Sequence, residues 1–284
     1  MPRRKTTHEA GAPVTFGDIA NTVGLCLIAF IFVFPILWTL MMSLKTRVDA
    51  LAMPPKWLFI PTFEHYATVW HEGSLLTYAG NSLIVALAST AFGLVLGVPA
   101  GYALARMEFR GQRVLLLGIL STRMIPPVAF IIPFFLIFTA VGLKDTYTAL
   151  VIVYLTIILG FVIWMMRSYF MEIPKELEEA ALIDGCTRWG VFLRIILPLS
   201  LPGLATSAIF SFIFSWNEFL YAMILTARHA KTLPLGIYNW VSYEEVRWGE
   251  LTAAAMYAML PVIVFYFFVQ KALVRGLTMG AVKG

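Results

Sequence analysis

One charged residue lies deep inside an apolar stretch of the chain. Arg123 follows the start of the apolar run 114–140 by about ten residues, which is roughly 15 Å along a helix. If this run crosses a membrane, a guanidinium at that depth is unfavourable unless it is paired or hydrated. Two alternatives stay open. Arg123 bonds to carbonyls that Pro126 and Pro127 set free, or it lines a pathway and meets a polar or anionic solute.

A second group combines polar and aromatic side chains late in the apolar run 199–225. Trp216, Asn217, Glu218 and Tyr221 suit sugar recognition, since rings stack on apolar sugar faces and amides bond to hydroxyls. Aromatic residues are also typical of the boundary between lipid and water. A solute site and an interfacial belt are therefore equal alternatives for these residues.

Patterns for covalent or metal catalysis are missing from the sequence. It has no phosphate-binding Walker sequence, no zinc-protease helix motif and no nucleophile elbow. The four histidines are scattered, and the two cysteines, Cys26 and Cys186, are far apart. We therefore expect free thiols, no metal site, no catalytic residue and no ATP hydrolysis by this chain.

Composition indicates which elements hold these residues. Of the 284 residues, 60% are hydrophobic and 13% are charged, and the mean hydropathy is +0.82. A soluble domain is nearer half apolar and a quarter charged. The same figures exclude a disordered chain and a disulfide-stapled secreted scaffold. We predict an all-α integral membrane protein, because helices satisfy their own backbone hydrogen bonds in lipid.

Six apolar stretches are long enough to cross about 30 Å of hydrocarbon. They are 19–44, 79–104, 114–140, 147–166, 199–225 and 252–274. The first is too long for a signal peptide and lacks a small-residue cleavage site, so we expect a retained span. The predicted organisation is a cytoplasmic tail 1–18, a transmembrane domain 19–275 and a second tail 276–284.

The positions of lysine and arginine predict the orientation. With the N-terminus in the cytoplasm, thirteen of the 21 Lys and Arg residues fall in inner segments and seven in outer ones, Arg123 lying within a span. Positive residues favour the cytoplasmic side, so both termini are expected there. The net charge of +5 then reports orientation, and no nucleic acid partner is predicted.

Small residues and prolines predict how two spans pack. Four-residue spacing of small residues lets helices approach closely, and in the second span it joins Ser89, Gly93, Gly97, Gly101 and Ala105. Packing within this subunit and contact with a partner subunit are both possible. The third span carries Pro126, Pro127 and Pro133, which should bend or interrupt it.

The inner segment 171–198 predicts two short helices on the membrane surface. Pro174 and the glutamates that follow it suit a helix N-terminus. Gly185 permits a left-handed turn, a second helix covers about 187–196, and Pro198 marks entry to the fifth span. An amphipathic interfacial helix is the alternative interpretation.

The spacing within this segment resembles the EAA signature of ABC importer permeases. Glu179-Ala180-Ala181, then three residues, Gly185, nine residues, Ile195, one residue and Leu197-Pro198 match it at every fixed position. Segments 54–57, 61–66, 232–238 and 275–284 add to the likeness. Over residues 20–284 the chain resembles the maltose-type, six-span subfamily of binding-protein-dependent sugar permeases.

This resemblance implies the ABC type I importer permease fold and alternating access driven by ATP. The EAA loop would be a coupling helix that docks on a separate ATPase subunit. The coupling residues would be Glu179, Ala180, Ala181, Asp184, Gly185, Ile195, Leu197 and Pro198. The residues of the C-terminal tail that reach the ATPases would be Gly276, Leu277, Thr278, Gly280 and Lys283.

The resemblance also implies partners in a bacterial inner membrane. They are a second, different permease subunit, two ATPase subunits that use ATP and Mg²⁺, a periplasmic solute-binding protein, and a sugar or sugar-like solute. This chain itself would bind no cofactor. The outer loop 226–251 would probe the binding protein, with Tyr238, Asn239, Trp240 and Tyr243 as candidate contacts.

An ion-coupled secondary transporter working without an ATPase is the alternative function. It would usually show paired ionisable residues within the membrane and internal symmetry. A membrane-embedded enzyme would need a cluster of catalytic groups. The sequence leaves open which sugar, polyol or anionic sugar derivative is carried.

Overall fold

The computed structural model describes residues 16–279, and within that range it is helical without a β-strand. Two non-α segments interrupt the helices, a 3₁₀ turn at Pro127–Phe130 and a π-helical turn at Phe192–Ile196. The helices are α1 (Phe16–Ser43), α2 (Arg47–Ala50), α3 (Glu64–Glu72), α4 (Leu75–Arg106), α5 (Gln112–Met124), α6 (Ile131–Ala140), α7 (Tyr147–Glu172), α8 (Glu176–Ile183), α9 (Arg188–Val191), α10 (Leu197–Leu199), α11 (Leu201–Trp216), α12 (Leu220–Leu225), α13 (Leu233–Tyr238) and α14 (Trp248–Met279).

Three helices in this range are long and apolar enough to cross a membrane, namely α1, α4 and α7. Two bent pairs also qualify when each is counted as one span: α5 with Pro127–Ala140, and Arg188–Leu199 with α11. The segment Trp248–Val264 of α14 is also apolar. The all-helical class expected from composition is confirmed for the described residues.

The third apolar stretch is interrupted at its prolines. After α5 the chain is extended at Ile125 and Pro126, and the two halves meet at 94°. Proline lacks an N–H and clashes with a preceding helical turn. The interruption expected from the sequence is therefore present, and the helix ends one residue after Arg123.

The fifth apolar stretch, predicted as one span over 199–225, is not one helix. α11 ends at Trp216 and α12 begins at Leu220. Asn217 Nδ2 donates to the carbonyl of Ile213 (2.9 Å), and the Glu218 carboxylate accepts from the N–H groups of Tyr221 (2.9 Å) and Ala222 (3.2 Å). Each side chain satisfies backbone groups that a helix end leaves free.

Other helices extend beyond the predicted bounds. α4 begins at Leu75 and not at 79, and α7 continues to Glu172. α14 begins at Trp248 and runs through Met279. Residues 276–279 are thus part of this helix, whereas the sequence predicted a separate tail from 276.

The core lies where α4, α7 and α11 pack together. A Cβ added to Gly93 would lie 2.5 Å from Ile158 Cγ2, and one added to Gly97 would lie 2.7 Å from Val162 Cγ1. Such distances are shorter than any real contact between carbon atoms, so only glycine allows this approach. The stripe of small residues in α4 therefore packs against α7 of the same chain.

Candidate functional site

The inner loop turns sharply after α8. Gly185 has φ of +85°, a region that side chains with a Cβ rarely adopt. Its N–H donates to the carbonyl of Leu182 (3.1 Å), and the N–H of Cys186 donates to Ala181 (3.0 Å). These two bonds form a Schellman motif, which ends the helix and satisfies its last carbonyls. Thr187 then caps α9, its Oγ1 accepting from the N–H of Gly190 (3.1 Å).

A buried ion pair holds α8 against the end of α4. The Glu178 carboxylate accepts from Arg106 Nε (2.5 Å) and from the Tyr102 hydroxyl (2.8 Å). A second guanidinium nitrogen of Arg106 donates to the carbonyl of Ile173 (2.7 Å). Arg106 and Tyr102 were not predicted as contacts of this loop, because the residues they meet lie more than sixty positions away.

The EAA residues fall on two faces of this loop. Ala181 is buried, and Ile195 and Leu197 are partly buried in the core cluster that contains Phe192. Glu179, Ala180, Asp184, Gly185 and Pro198 are exposed. Two apolar side chains, Ile183 (85% exposed) and Trp189 (66% exposed), extend the outward surface.

Aromatic packing connects the loop to the transmembrane helices. The Phe192 ring lies 4.9 Å from Tyr102 of α4 and 6.3 Å from Phe170 of α7, measured between centroids. Phe192 is buried within the π-helical turn. Because rings at these separations are in direct contact, a displacement of the loop must displace the ends of α4 and α7.

A cavity of about 880 Å³ opens on the broken third stretch. It is bounded by α5, the Pro127–Phe130 turn, α6, α7 and α12. Arg123 and Tyr221 line it together with Phe130, Phe134 and the hydroxyl-bearing Thr156. The Tyr221 hydroxyl donates to the carbonyl of Pro127 at 3.3 Å, which connects α12 to the turn that borders the cavity.

The guanidinium of Arg123 lies beside two aromatic rings that pack against each other, their centroids 5.2 Å apart. Its Cζ is 5.5 Å from the Phe161 centroid and 5.9 Å from the Phe214 centroid. Within residues 16–279 no hydrogen bond or ion pair reaches it. The carbonyl-bonded alternative is thus not what the structure has, and the side chain remains available to the cavity.

Three of the five pathway candidates do not line this cavity. Trp216 is 3% exposed and stacks on Phe212 (5.7 Å, 22°) in the core. Asn217 and Glu218 bond to backbone groups at the α11–α12 break. Asn217 Nδ2 and both Glu218 oxygens are used at the helix ends, so only Arg123 and Tyr221 of the predicted group line the cavity.

The outer loop is held by one carboxylate that the sequence analysis missed. Asp145 accepts hydrogen bonds from the backbone N–H groups of residues 227–230, at 2.9 to 3.2 Å. Burial raises the pKa of Asp145, but these four donors outweigh it and lower the pKa to about 2. No short-range pattern could reveal this contact, since the partners are more than eighty positions apart.

The N-terminal end of α4 anchors the same loop. Asn81 Nδ2 donates to the carbonyls of His229 and Lys231 (both 2.9 Å), and its Oδ1 accepts from the Tyr147 hydroxyl (2.7 Å). The Ser82 hydroxyl accepts from the N–H of Leu233 (2.8 Å). The base of the loop is therefore fixed to α4 and α7.

The tip of the outer loop projects from this base. Val241 and Val246 pair across a hairpin turn, and Tyr243 at its tip is fully exposed. Tyr238 is half exposed and contacts Phe219. Trp240 differs from the other candidates, because it is 8% exposed and is covered by the Arg247 guanidinium at 4.7 Å.

The remaining predictions fall at the edge of the structure. Gly276, Leu277 and Thr278 belong to the backbone of α14, whereas Gly280 and Lys283 lie outside the described residues. Within residues 16–279, no three side chains of His, Cys, Asp or Glu are grouped to hold a metal ion.

A bundle of apolar helices with a cavity beside broken helices, and with anchored loops at the two ends of α4, defines a membrane transport protein. The chain belongs to the family of binding-protein-dependent transport system inner membrane components, whose model matches residues 93–279. The resemblance drawn from the EAA spacing is confirmed.

Individual relatives agree with this family. A probable ABC transporter permease protein, y4oR of Sinorhizobium fredii, is 40% identical over 91% of this chain and 93% of its own. The diacetylchitobiose uptake system permease protein DasC of Streptomyces coelicolor is 34% identical over 95% and 98%. A chain of a bacterial ABC transporter involved in import of the acidic polysaccharide alginate superposes with a TM-score of 0.73, at 27% identity, covering 93% of this chain and all of that one.

Proposed function

We propose that this chain is the permease subunit of an ATP-driven ABC importer in the bacterial inner membrane, and that it carries a sugar or sugar-like solute. Family membership supports the importer class over an ion-coupled secondary transporter. Relatives that serve diacetylchitobiose uptake and alginate import support a carbohydrate. The observation that carries the proposal is the inner loop, which is fixed on one side and exposes a small-residue and apolar surface on the other.

The partners follow from what this chain lacks. It has no Walker sequence, so ATP and Mg²⁺ would be bound by two separate ATPase subunits. A second, different permease subunit would complete the pathway, and a periplasmic solute-binding protein would deliver the solute. Both termini would lie in the cytoplasm, as the lysine and arginine distribution predicts.

The inner loop would receive the motion of the ATPases. Glu179, Ala180, Ile183 and Trp189 offer an exposed surface in which small side chains allow close docking. A partner that grips α8 moves Glu178, and with it the end of α4. Because α4 packs on α7 without room for a Cβ between them, the two helices move as one body.

The solute would pass the cavity beside Arg123 and Tyr221. Its walls combine aromatic rings with few polar groups, a composition typical of small-molecule sites. On the outer side, Tyr238, Asn239 and Tyr243 would meet the binding protein, while the buried Trp240 supports the hairpin. Alternating access would then connect the outer loop to the cavity when the ATPases close.

Gly185 provides the test of coupling. Gly185→Val places a β-branched residue at a positive φ, which destabilises this turn by about 1–2 kcal/mol, and redirects α8 although no neighbour occupies the space. We expect the complex to assemble but to hydrolyse ATP without importing solute. Sugar uptake and ATPase activity are measured together in proteoliposomes that contain the full complex.

The matched variant is Gly185→Asn, since asparagine tolerates a left-handed conformation. It should retain most of the uptake per ATP hydrolysed. Equal coupling in Gly185→Val and the parent chain would contradict the assignment of this loop as the coupling element.

A further inference from the structure

Two positions along the helices indicate that Arg123 lies near the middle of the expected spans. It is the twelfth residue of α5, which places it about 17 Å from the start of that helix. Its side-chain carbons would also be the nearest neighbours of a Cβ on Gly160, at 3.5 Å, and Gly160 is near the middle of the 26-residue helix α7. The charge therefore lies level with the middle of α7, a helix long and apolar enough to cross a membrane.

No acidic group in the described part of the chain balances this charge. Glu218, at the break between α11 and α12, is not in the wall of the cavity, and its two oxygens accept from backbone N–H groups. The rings of Phe161 and Phe214 offset only part of the unfavourable solvation of a guanidinium. The cation faces the cavity with all its donors unused.

We infer that Arg123 binds an acidic group of the transported solute, a carboxylate or sulfonate on a sugar ring; this rests on the proposed function. Guanidinium presents two parallel N–H donors that fit such an oxyanion, and the pair is strong where water is scarce. Thr122 and Thr156 line the same cavity. Their hydroxyls donate to the carbonyls of Ile119 (2.7 Å) and Val153 (2.6 Å), so their oxygens can still accept from hydroxyls of a sugar. The aromatic walls suit its apolar faces.

The experiment compares solutes and permease variants in one cycle. The complete importer, with its own binding protein and partner subunits, is expressed in a host without other sugar uptake. Labelled glucuronate, galacturonate and their methyl esters are supplied, with glucose and galactose as neutral sugars. Methylation removes the charge of the solute, and Arg123→Gln removes the charge of the side chain. Comparing the two changes made singly and together measures the interaction between these charges.

In the parent chain we expect methylation of the acid to lower uptake about tenfold or more. In Arg123→Gln, uptake of the acid should fall by a similar factor, and the acid-to-ester uptake ratio should be about tenfold lower than in the parent chain. Discrimination by the binding protein is common to both permeases and cancels in this comparison. Arg123→Lys, which keeps the charge but not the parallel donors, should lie between them.

Arg113→Gln is the matched control, because Arg113 is an exposed arginine of the same helix outside the cavity. All uptake rates are divided by the amount of assembled complex. If Arg123→Gln fails to assemble, a lowered acid-to-ester ratio in Arg123→Lys carries the test.

An equal methylation penalty in the parent and Arg123→Gln, or equal loss for acids and neutral sugars, would overturn the assignment of Arg123 while leaving sugar import intact. Import of none of the six sugars by the parent complex would count against the proposed function itself.

Discussion

Asp145 shows how a single carboxylate positions a loop that the sequence leaves unconstrained. Its backbone adopts φ of +61°, and its oxygens collect the N–H groups of residues 227–230. Four donors aimed at one anion form a favourable site for negative charge. The base of the outer loop therefore depends on the ionised form of this residue.

We predict that Asp145→Ala exposes the backbone of 226–231 to hydrogen exchange and lowers stability by about 1–2 kcal/mol, with a smaller effect for Asp145→Asn. The pKa of Asp145 is about 2, below its ordinary 3.8, so the contribution is complete above about pH 5 and is lost as the pH falls through 4 toward 2. Amide hydrogen exchange of residues 226–231, corrected for the intrinsic exchange rate at each pH, measures this pH dependence. Glu72→Gln is the control, and a loop that loosens as the pH rises would contradict the sign.

At the level of elements, the surface helix α8 owes its position to tertiary contacts. It has eight residues, too few to be stable alone in water. Glu178 and Arg106, with side chains 12% and 9% exposed, tie it to α4, and Phe192 fills the space between α4 and α7. Glu178 thus faces the membrane domain while its neighbour Glu179 faces outward.

Substitutions at Glu178 and Glu179 should therefore have different effects. Glu178→Gln leaves the Arg106 cation without its partner, so we expect faster hydrogen exchange across 173–185 and less uptake per ATP hydrolysed. Exchanging the pair, Arg106→Glu with Glu178→Arg, should restore part of both. Glu179→Gln should weaken ATPase docking without loosening the loop, and Glu176→Gln is the exposed control. Equal hydrogen exchange across 173–185 in Glu178→Gln and Glu179→Gln would contradict the assignment of one glutamate to the membrane domain and the other to the ATPase.

At the scale of the whole molecule, α4 connects the two anchored loops. Asn81 and Ser82 hold the outer loop at one end, and Tyr102 and Arg106 hold the inner loop at the other. The interval of 25 residues corresponds to about 37 Å of helix, enough to cross the hydrocarbon core. A rigid helix with partners at both ends provides a direct mechanical connection between the binding-protein side and the ATPase side.

This arrangement requires the two loops to lie on opposite faces of the membrane. In a Cys26→Ala, Cys186→Ser background, Tyr243→Cys should react with a membrane-impermeant maleimide once the outer membrane is permeabilised. Glu176→Cys should react only after the inner membrane is also opened. Labelling is measured by gel shift. The reverse order of reaction would invert the orientation and remove the coupling assignment.

Local chemistry explains why much of the inner loop could be predicted from the sequence. Each helix boundary in this loop is determined by residues close to it in sequence. The glutamates after Pro174 favour a helix start, the left-handed Gly185 ends that helix, and Pro198 marks the entry to the next span. The interruption at Pro126 and Pro127 is local in the same sense. The break after Trp216 was missed, because the capping role of Glu218 depends on where its carboxylate points and not on its type.

The sequence by itself determined an apolar helical chain with an EAA loop, because composition, hydrophobic length and turn residues act over short distances. Only the tertiary structure decided that Glu178 pairs with Arg106, that Asp145 holds residues 227–230, and that Tyr221 lines the cavity while Trp216 packs on Phe212. Those contacts join residues far apart in the chain. A break also rotates the following helix relative to the preceding one. The hydrophobic periodicity of the sequence therefore does not predict which side chains of the two helices are in contact.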